Sequence, residues 1–297
     1  MNVLIAGGSG FIGRRLQKRL HKLGHEVTWV TRNPHSHPEG QRTVSWDEED
    51  LRVAMEQHQA IVNLAGVNLF DRRWNLEFKK NIKNSRVQSV QKLVKAIKNA
   101  NKKPEVYVQG SAIGYYGSHN STEDYDENTP VGYDYLANTC LHWEQATQEL
   151  ESLVERLVIV RIGVVLGRGG GAVESMAKSF KLYMGGVLGS GEQWVSWIHI
   201  DDITALLVEA IFNNSYQGVF NGTAPNPVTH REQCRSLAKA MKRPCWLPVP
   251  RSVIRLALGE VSDIVLNGQR VLPVRALDSG FVFEYPIIDL AFEELFA

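Results

Sequence analysis

The 297-residue sequence has no long hydrophobic run, almost no net charge and only three cysteines. Each shortage removes a class of explanation. No apolar stretch approaches the roughly 20 residues that a membrane-spanning helix requires. Lys plus Arg number 33 against 32 Asp plus Glu, a net charge of +1, so no strong field exists to steer nucleic acid or an anionic membrane surface. Cys140, Cys234 and Cys245 form no CxxC pair and no metal-ligand spacing. They read as free thiols in a reducing compartment, with no metal site expected. The first apolar residues belong to a strand rather than to a secretory leader, which gives a cytoplasmic expectation. No fixed-period repeat or low-complexity linker is evident.

What is present begins at the N-terminus. Residues 2–6 form a short apolar run that passes directly into Gly7, Gly8, Ser9, Gly10, Phe11, Ile12 and Gly13. Gly7, Gly10 and Gly13 fit GxxGxxG, and Gly8, Gly10 and Gly13 fit GxGxxG. Glycine is needed where φ is positive and where the backbone must come close to phosphate. The helix N-terminus that follows offers free N–H groups to a pyrophosphate. Leu16, Leu20 and Leu23 then recur at helical spacing before Gly24, and residues 25–31 read as a second strand. This is a complete β-α-β unit. In NAD-binding units of this kind an acid at the end of the second strand receives the ribose 2′-hydroxyl. Here that strand ends in Thr31 and Arg32, and the nearby Glu26 lies at its start. A guanidinium in the acid's place suits a 2′-phosphate, so NADP is expected over NAD.

Further along, Val44 and Trp46 suggest a third strand, followed by a helix over 47–57. Residues 60–66 read as a fourth strand whose small end, including Gly66, suits packing beside a cofactor. A long helix is expected over 75–100, a strand over 106–109, a loop over 111–117 and a solvated acidic loop over 122–127. A helix over 136–152 leads to a strand over 154–161. Strands alternating with helices at this spacing imply an α/β, Rossmann-type doubly wound parallel sheet. After Gly163 glycine-punctuated segments, a strand over 194–200 and proline-rich stretches suggest a smaller C-terminal substrate lobe. The division expected is 1–165 for the cofactor domain and mainly 166–297 for the lobe, with about 198–225 returning to the first domain.

Together, the glycine turn, Asn63 to Gly66, Ser111 with Tyr116 and Gly117, Arg161 with Gly163, and Ile198 to Asp202 resemble the extended short-chain dehydrogenases/reductases. More narrowly, Arg72-Arg73-Trp74, residues 161–171, Trp197 to His199, Asn221 to Pro225 and Gly268 to Pro273 resemble the atypical epimerase-like branch, short-chain dehydrogenase family 39U. Its members are usually named nucleoside-diphosphate sugar epimerases. The resemblance implies cofactor contacts at Thr31, Arg32, Leu64, Ala65, Asn81, Arg86 and Val164.

The wider family moves protons with a Tyr whose pKa is lowered by a Lys four residues on, beside a substrate-holding Ser or Thr. A phenol with a reference pKa near 10 must be shifted to act near neutrality. Aligning on Glu144 places Leu136 at the Tyr position and Cys140 at the Lys position, so the YxxxK pair is absent. Ser111 takes the serine position if the loop carries one extra residue; an ungapped match gives Ala112. Ser111 and Tyr116 are the expected catalytic groups, and Tyr115, Tyr133 and Tyr135 are further candidate acids. His199 is expected to be structural, Asp201 a helix cap and Asp202 a surface acid. The function expected is an NADP-dependent epimerase or reductase acting on a sugar nucleotide or a small carbonyl or hydroxyl compound. The alternative is a non-catalytic NADP-binding sensor that signals to a partner.

Overall fold

The alternation of apolar strands and amphipathic helices closes into a parallel sheet covered on both faces. The computed structural model describes residues 1–34, 37, 40–119 and 123–297. The first half runs β1 (Asn2–Ala6), α1 (Phe11–Lys22), β2 (Glu26–Val30), β3 (Arg42–Val44), α2 (Glu48–Gln57), β4 (Ala60–Asn63), α3 (Leu76–Asn99), β5 (Val106–Ala112), β6 (Asp124–Tyr125), α4 (Tyr135–Gln145) and β7 (Arg156–Ile162). The second half adds β8 (Val164–Leu166), α5 (Gly171–Lys181), β9 (Trp194–Val195), β10 (Trp197–His199), α6 (Ile200–Phe212), β11 (Gly218–Gly222), β12 (Val228–Thr229), α7 (His230–Met241), α8 (Arg251–Leu258), α9 (Ser262–Leu266), β13 (Arg270–Val271), α10 (Val274–Asp278) and α11 (Ile288–Phe296).

Seven strands form one parallel sheet in the order β11-β7-β5-β4-β1-β2-β3. The order reverses at β1, which puts a crevice at the carboxyl ends of β1 and β4. Because helices cover both faces, the central strands are apolar on both sides rather than alternating; Val3 to Ala6 are all fully buried. On one face Leu16 and Leu20 of α1 pack with Ile203, Leu206 and Leu207 of α6. On the other, Leu51 of α2, Leu93 and Ile97 of α3 and Trp143 of α4 cover Leu4, Ile61 and Tyr107. Each large aliphatic side chain so buried contributes about 1.5–3 kcal/mol of transfer free energy. A separate core, with Phe180, Trp197, Leu237 and Phe292, holds α5, α7 and α11 together.

Helix ends follow local chemistry. Asn75 accepts from the Phe78 N–H to start α3, and Thr229 with Glu232 forms a capping box on α7. α6 departs from the sequence expectation. Its cap is His199, whose Nδ1 accepts from the Asp201 N–H at 3.3 Å, while Asp201 pairs with Arg15 at 2.5 and 2.6 Å.

Several other expectations are corrected. The stretch 122–127 is not a solvated loop where it is described: β6 pairs with β13, and Tyr125 and Glu127 are buried; Thr122 lies outside the described residues. Residues 111–117 begin inside β5 and continue as a 3-10 turn over Ile113–Tyr116. The strand expected over 194–200 is two short pieces, and Ile200 already belongs to α6. Asp202 is not a surface acid. It is buried and accepts from the N–H groups of Glu284 and Tyr285 at 2.8 and 3.0 Å, and burial pushes its pKa up to about 6. Among the described residues no helix is long and apolar enough to cross a membrane.

Candidate functional site

The glycines of the first turn serve two purposes. Gly7 has φ +80°, and a Cβ there would lie 2.7 Å from the Leu64 carbonyl carbon, so this glycine lets the turn rest on the end of β4. A Cβ on Gly8 would strike the Trp29 ring, and one on Gly13 would strike the Gly7 carbonyl. These three are required by packing. Gly10 is different. Its φ of −74° suits any residue, and a Cβ would meet only the Gly7 oxygen, at 3.1 Å. The space outside Gly10 is open. α1 starts there with no side-chain cap and no acid in its first turn, so the N–H groups of Phe11, Ile12 and Gly13 and the positive end of the helix dipole face that opening. Phe11 also packs its ring against Gly167, Gly170 and Gly171, while Ile12 packs on the core. Ser9 is exposed.

At the neighbouring strand, Asn63 is fully buried and turns the chain outward. Its Oδ1 accepts from the Ala65 N–H at 3.1 Å, and its Nδ2 donates to Ser89 and Gln109 at 3.2 and 3.1 Å. Val67 is clamped to α3: its N–H donates to Ser85 at 3.2 Å, and its carbonyl accepts from Arg86 Nη1 at 3.1 Å. The Arg86 guanidinium carbon lies 3.2 Å from the Cβ position of Gly66 and 5.1 Å from the Trp143 ring centre. No carboxylate pairs with Arg86 among the described residues. Burial lowers its pKa, opposed only by the Cys140 thiol and the Tyr135 phenol. A shielded cation without a counter-ion is costly to keep and marks a place where an anion is welcome.

The remaining predicted cofactor residues are spread along the same edge. Thr31 hydrogen-bonds His37 at 2.8 Å and follows β2. Arg32 is exposed and makes no ion pair among the described residues. Asn81 is exposed on α3, and Val164 donates its N–H to Ser196 at 2.9 Å. Gly7, Leu64 and Ala65 are therefore brought into contact, and Gly66 with Arg86. Arg32 lies two strands to one side, beyond β2, and Val164 two strands to the other, beyond β7.

The expected proton-transfer groups fare differently. Leu136 and Cys140 face the 3-10 turn, 3.5 and 3.7 Å from the Cβ position of Gly114. Burial pushes the Cys140 thiol up to about 12, which keeps it inert. β5 and β7 stay in register through Gly110, Ser111 and Ala112, opposite Val160, Arg161 and Ile162. That pairing ends at Ala112, before the loop to Tyr116, so Ser111 and Ala112 both stand at the end of β5. Ser111 donates to Glu144 at 2.6 Å. Tyr116 is buried, donates to Asn221 at 2.7 Å and accepts from Arg161 at 3.1 Å; burial pushes its pKa up to about 12 despite Arg161. Both hydroxyls are spent inside the protein. Ser111 and Tyr116, the residues expected to be catalytic, are thus joined in one hydrogen-bonded network through Glu144 and Arg161. Tyr133 is fully exposed, and Tyr135 donates to the Lys79 carbonyl at 2.6 Å with its pKa raised by burial. Arg161 stacks on Tyr115 at 3.4 Å.

The pair that organises this region is Arg161 with Glu144, a two-pronged ion pair of 3.0 and 2.8 Å whose side chains are 5% and 9% exposed. Burial opposes the Arg161 charge, but the bonds to Glu144 outweigh it and raise its pKa. The signal available in sequence was an arginine inside the apolar run of β7, which demands a buried partner. Among the described residues no cluster of His, Cys, Asp and Glu could hold a metal ion.

Comparison with known proteins follows this geometry. The model of the NAD dependent epimerase/dehydratase family matches residues 3–221, and that of a domain of unknown function (DUF1731) matches 249–295. The chain is 44% identical over 298 residues to the Epimerase family protein SDR39U1 homolog, chloroplastic, of Arabidopsis thaliana, covering 97% of this chain and 84% of that one. It is 40% identical over 301 residues to human Epimerase family protein SDR39U1, covering all of both. A crystal structure of human SDR39U1 (isoform 2) with NADPH superposes with a TM-score of 0.90 at 38% identity, over 99% of each chain. The Thermus thermophilus UDP-glucose 4-epimerase, at 17% identity and a TM-score of 0.78 over 100% of this chain and 97% of that one, shares the fold.

Proposed function

We propose that this chain, which belongs to the NAD-dependent epimerase/dehydratase family, binds NADP across the carboxyl ends of β1, β2 and β4 and acts as an epimerase- or reductase-like enzyme. The observation that carries the proposal is Gly10: it is the least crowded glycine of the turn, a Cβ there meeting only the Gly7 oxygen at 3.1 Å, and it keeps the backbone bare before an uncapped helix. Residues Gly7 to Gly13 would hold the pyrophosphate, and Leu64, Ala65 and Gly66 would line the cofactor. Arg86 would supply a cation beside Gly66, with Asn81 and Val164 as outer contacts. Thr31 and Arg32 would take the 2′-phosphate. The NADPH bound to the 38% identical human relative supports the same cofactor here.

When bound, the cofactor supplies or accepts a hydride. The chain's own part is to orient and to exclude water, with the Ser111–Glu144–Arg161–Tyr116 network fixing the floor of the cleft. The substrate would be a small carbonyl or hydroxyl compound, sugar nucleotides included. One observation favours the second reading, a non-catalytic NADP sensor: Leu136 and Cys140 offer no proton donor, and Tyr116 is held far from neutrality. A thermal-shift titration with NADPH and NADH, followed by a turnover screen of carbonyl compounds and sugar nucleotides, tests both. Stabilisation by NADPH with turnover supports the enzyme, stabilisation without turnover across the panel supports the sensor, and no stabilisation by NADPH refutes the site.

A further inference from the structure

The motif Arg72-Arg73-Trp74 is not used by the cofactor site, yet Arg73 joins the loop before α3 to the end of α8. Arg73 Nη2 donates to the carbonyls of Leu256 and Ala257 at 2.6 and 2.7 Å, and its Nε donates to Ala257 at 3.1 Å. These are among the last carbonyls of α8, which lack partners within the helix, and a cation there also suits the helix dipole. One turn into α3, Lys79 pairs with Glu260, just beyond α8. Its ammonium also lies 5.1 Å from the Tyr135 ring and 5.9 Å from the Trp74 ring. Trp74 closes its own loop by donating to the Leu69 carbonyl at 3.0 Å and meets Tyr135 edge-on at 5.4 Å. Through Tyr135, its first residue, the cluster touches the N-terminal end of α4, the helix that carries Leu136 and Cys140.

α8 is otherwise tied to the chain that follows it, Arg251 donating to Asn267 at 3.3 Å and Arg255 pairing with Asp263 at 3.9 Å, and it buries little surface. Ile254 is its buried residue, while Val253 and Leu256 are 52% and 80% exposed. An element with so little buried surface opens at low free energy, so a few directed bonds decide its position. The base of the same loop, at Val67, is clamped by Ser85 and Arg86 beside Gly66, which ties the cofactor edge to this contact.

We infer that Arg73, aided by the Lys79–Glu260 pair, is a positioning residue that latches α8 of the C-terminal lobe over the cleft, and that its release opens the space beside Leu136 and Cys140. The inference rests on the reading that this cleft receives cofactor and substrate.

The buried thiols supply the test. Full-length protein is treated with methyl methanethiosulfonate at pH 8.5, and labelling of Cys140 and Cys234 is followed separately by peptide mass spectrometry. Cys234 is buried in the lobe core and reports global loosening. Arg73→Ala should raise the Cys140 rate about tenfold, the scale of losing one charge-assisted bond from an opening equilibrium, with Cys234 unchanged. Arg73→Lys should fall between. Lys79→Glu should also raise Cys140 labelling, and Lys79→Glu with Glu260→Lys should restore protection. An unchanged Cys140 rate in Arg73→Ala, or Cys140 and Cys234 rising together, overturns the latch. NADP added to the wild type should slow Cys140 labelling; absence of that protection would count against the cofactor reading, independently of the Arg73 result.

Discussion

Replacing Glu144 by Gln keeps the shape of the buried network and removes its charge. The perturbation is severe because the Arg161 side chain is 5% exposed and pairs with no other acid among the described residues. Gln can return one acceptor oxygen, but it also presents an amide NH2 to a guanidinium or to Ser111, so at least one of the contacts at 2.6, 2.8 and 3.0 Å becomes donor facing donor. Breaking a buried pair from one side costs about 3–5 kcal/mol. Against a total stability of about 5–15 kcal/mol, Glu144→Gln should lower the urea midpoint sharply with an unchanged m-value. Replacing both partners, as in Glu144→Leu with Arg161→Met, should cost less than the sum of the two single changes, because no charge is then stranded. A loss below about 1 kcal/mol in Glu144→Gln would show that Arg161 finds water or another partner, and the network would not be the anchor described.

Two substitutions of one residue type should separate fold from binding: Gly10→Val should fold with a small shift of the Gly7 carbonyl, 3.1 Å from its Cβ, and lose cofactor in a fluorescence titration. Gly13→Val should fail to fold, because its Cβ strikes the Gly7 carbonyl. Asp202 gives a pH signature. Its folded pKa of about 6 lies above its usual 3.8, so the folded state holds the proton more tightly and this group's contribution falls as pH rises between those values. Chemical denaturation of wild type and Asp202→Asn from pH 4 to 7 should show wild type losing stability relative to the variant; a relative gain would refute the assignment. Leu136→Tyr with Cys140→Lys should lower the melting temperature and leave NADPH oxidation unrestored. The new ammonium would be buried beside Arg86, and burial with a like charge would depress its pKa; restored turnover would show that the site tolerates the dyad.

The fold was largely legible because its signals are local. Val3 to Ala6, the glycine turn and the Leu16/Leu20 stripe each carry their own periodicity. Long-range pairings were not legible: β6 is made a strand by Arg270 and Val271, 146 residues away, and Asp202 is buried by backbone donors at 284 and 285. The glycine turn was visible as a motif, although sequence could not tell that Gly7, Gly8 and Gly13 are crowded on several sides while Gly10 meets only the Gly7 oxygen. The surroundings of the expected chemical centre were not legible, for a physical reason. Ser111 and Tyr116 were visible at family-like spacing, but their hydrogen-bond partners Glu144 and Asn221 come from other elements and carry no local signal. Arg73 was visible only as a motif, since its partners on α8 are about 180 residues downstream.

The central claim is that this edge of the sheet takes NADP and tells it from NAD, and titration calorimetry tests it most directly. Wild type should bind NADP more tightly than NAD. Arg32→Ala should cost NADP about 1.5–3 kcal/mol, the loss of a charge-assisted pair to the 2′-phosphate, and leave NAD nearly unchanged. Equal affinities of the wild type for the two cofactors, or an Arg32→Ala variant that weakens both alike, would contradict the account.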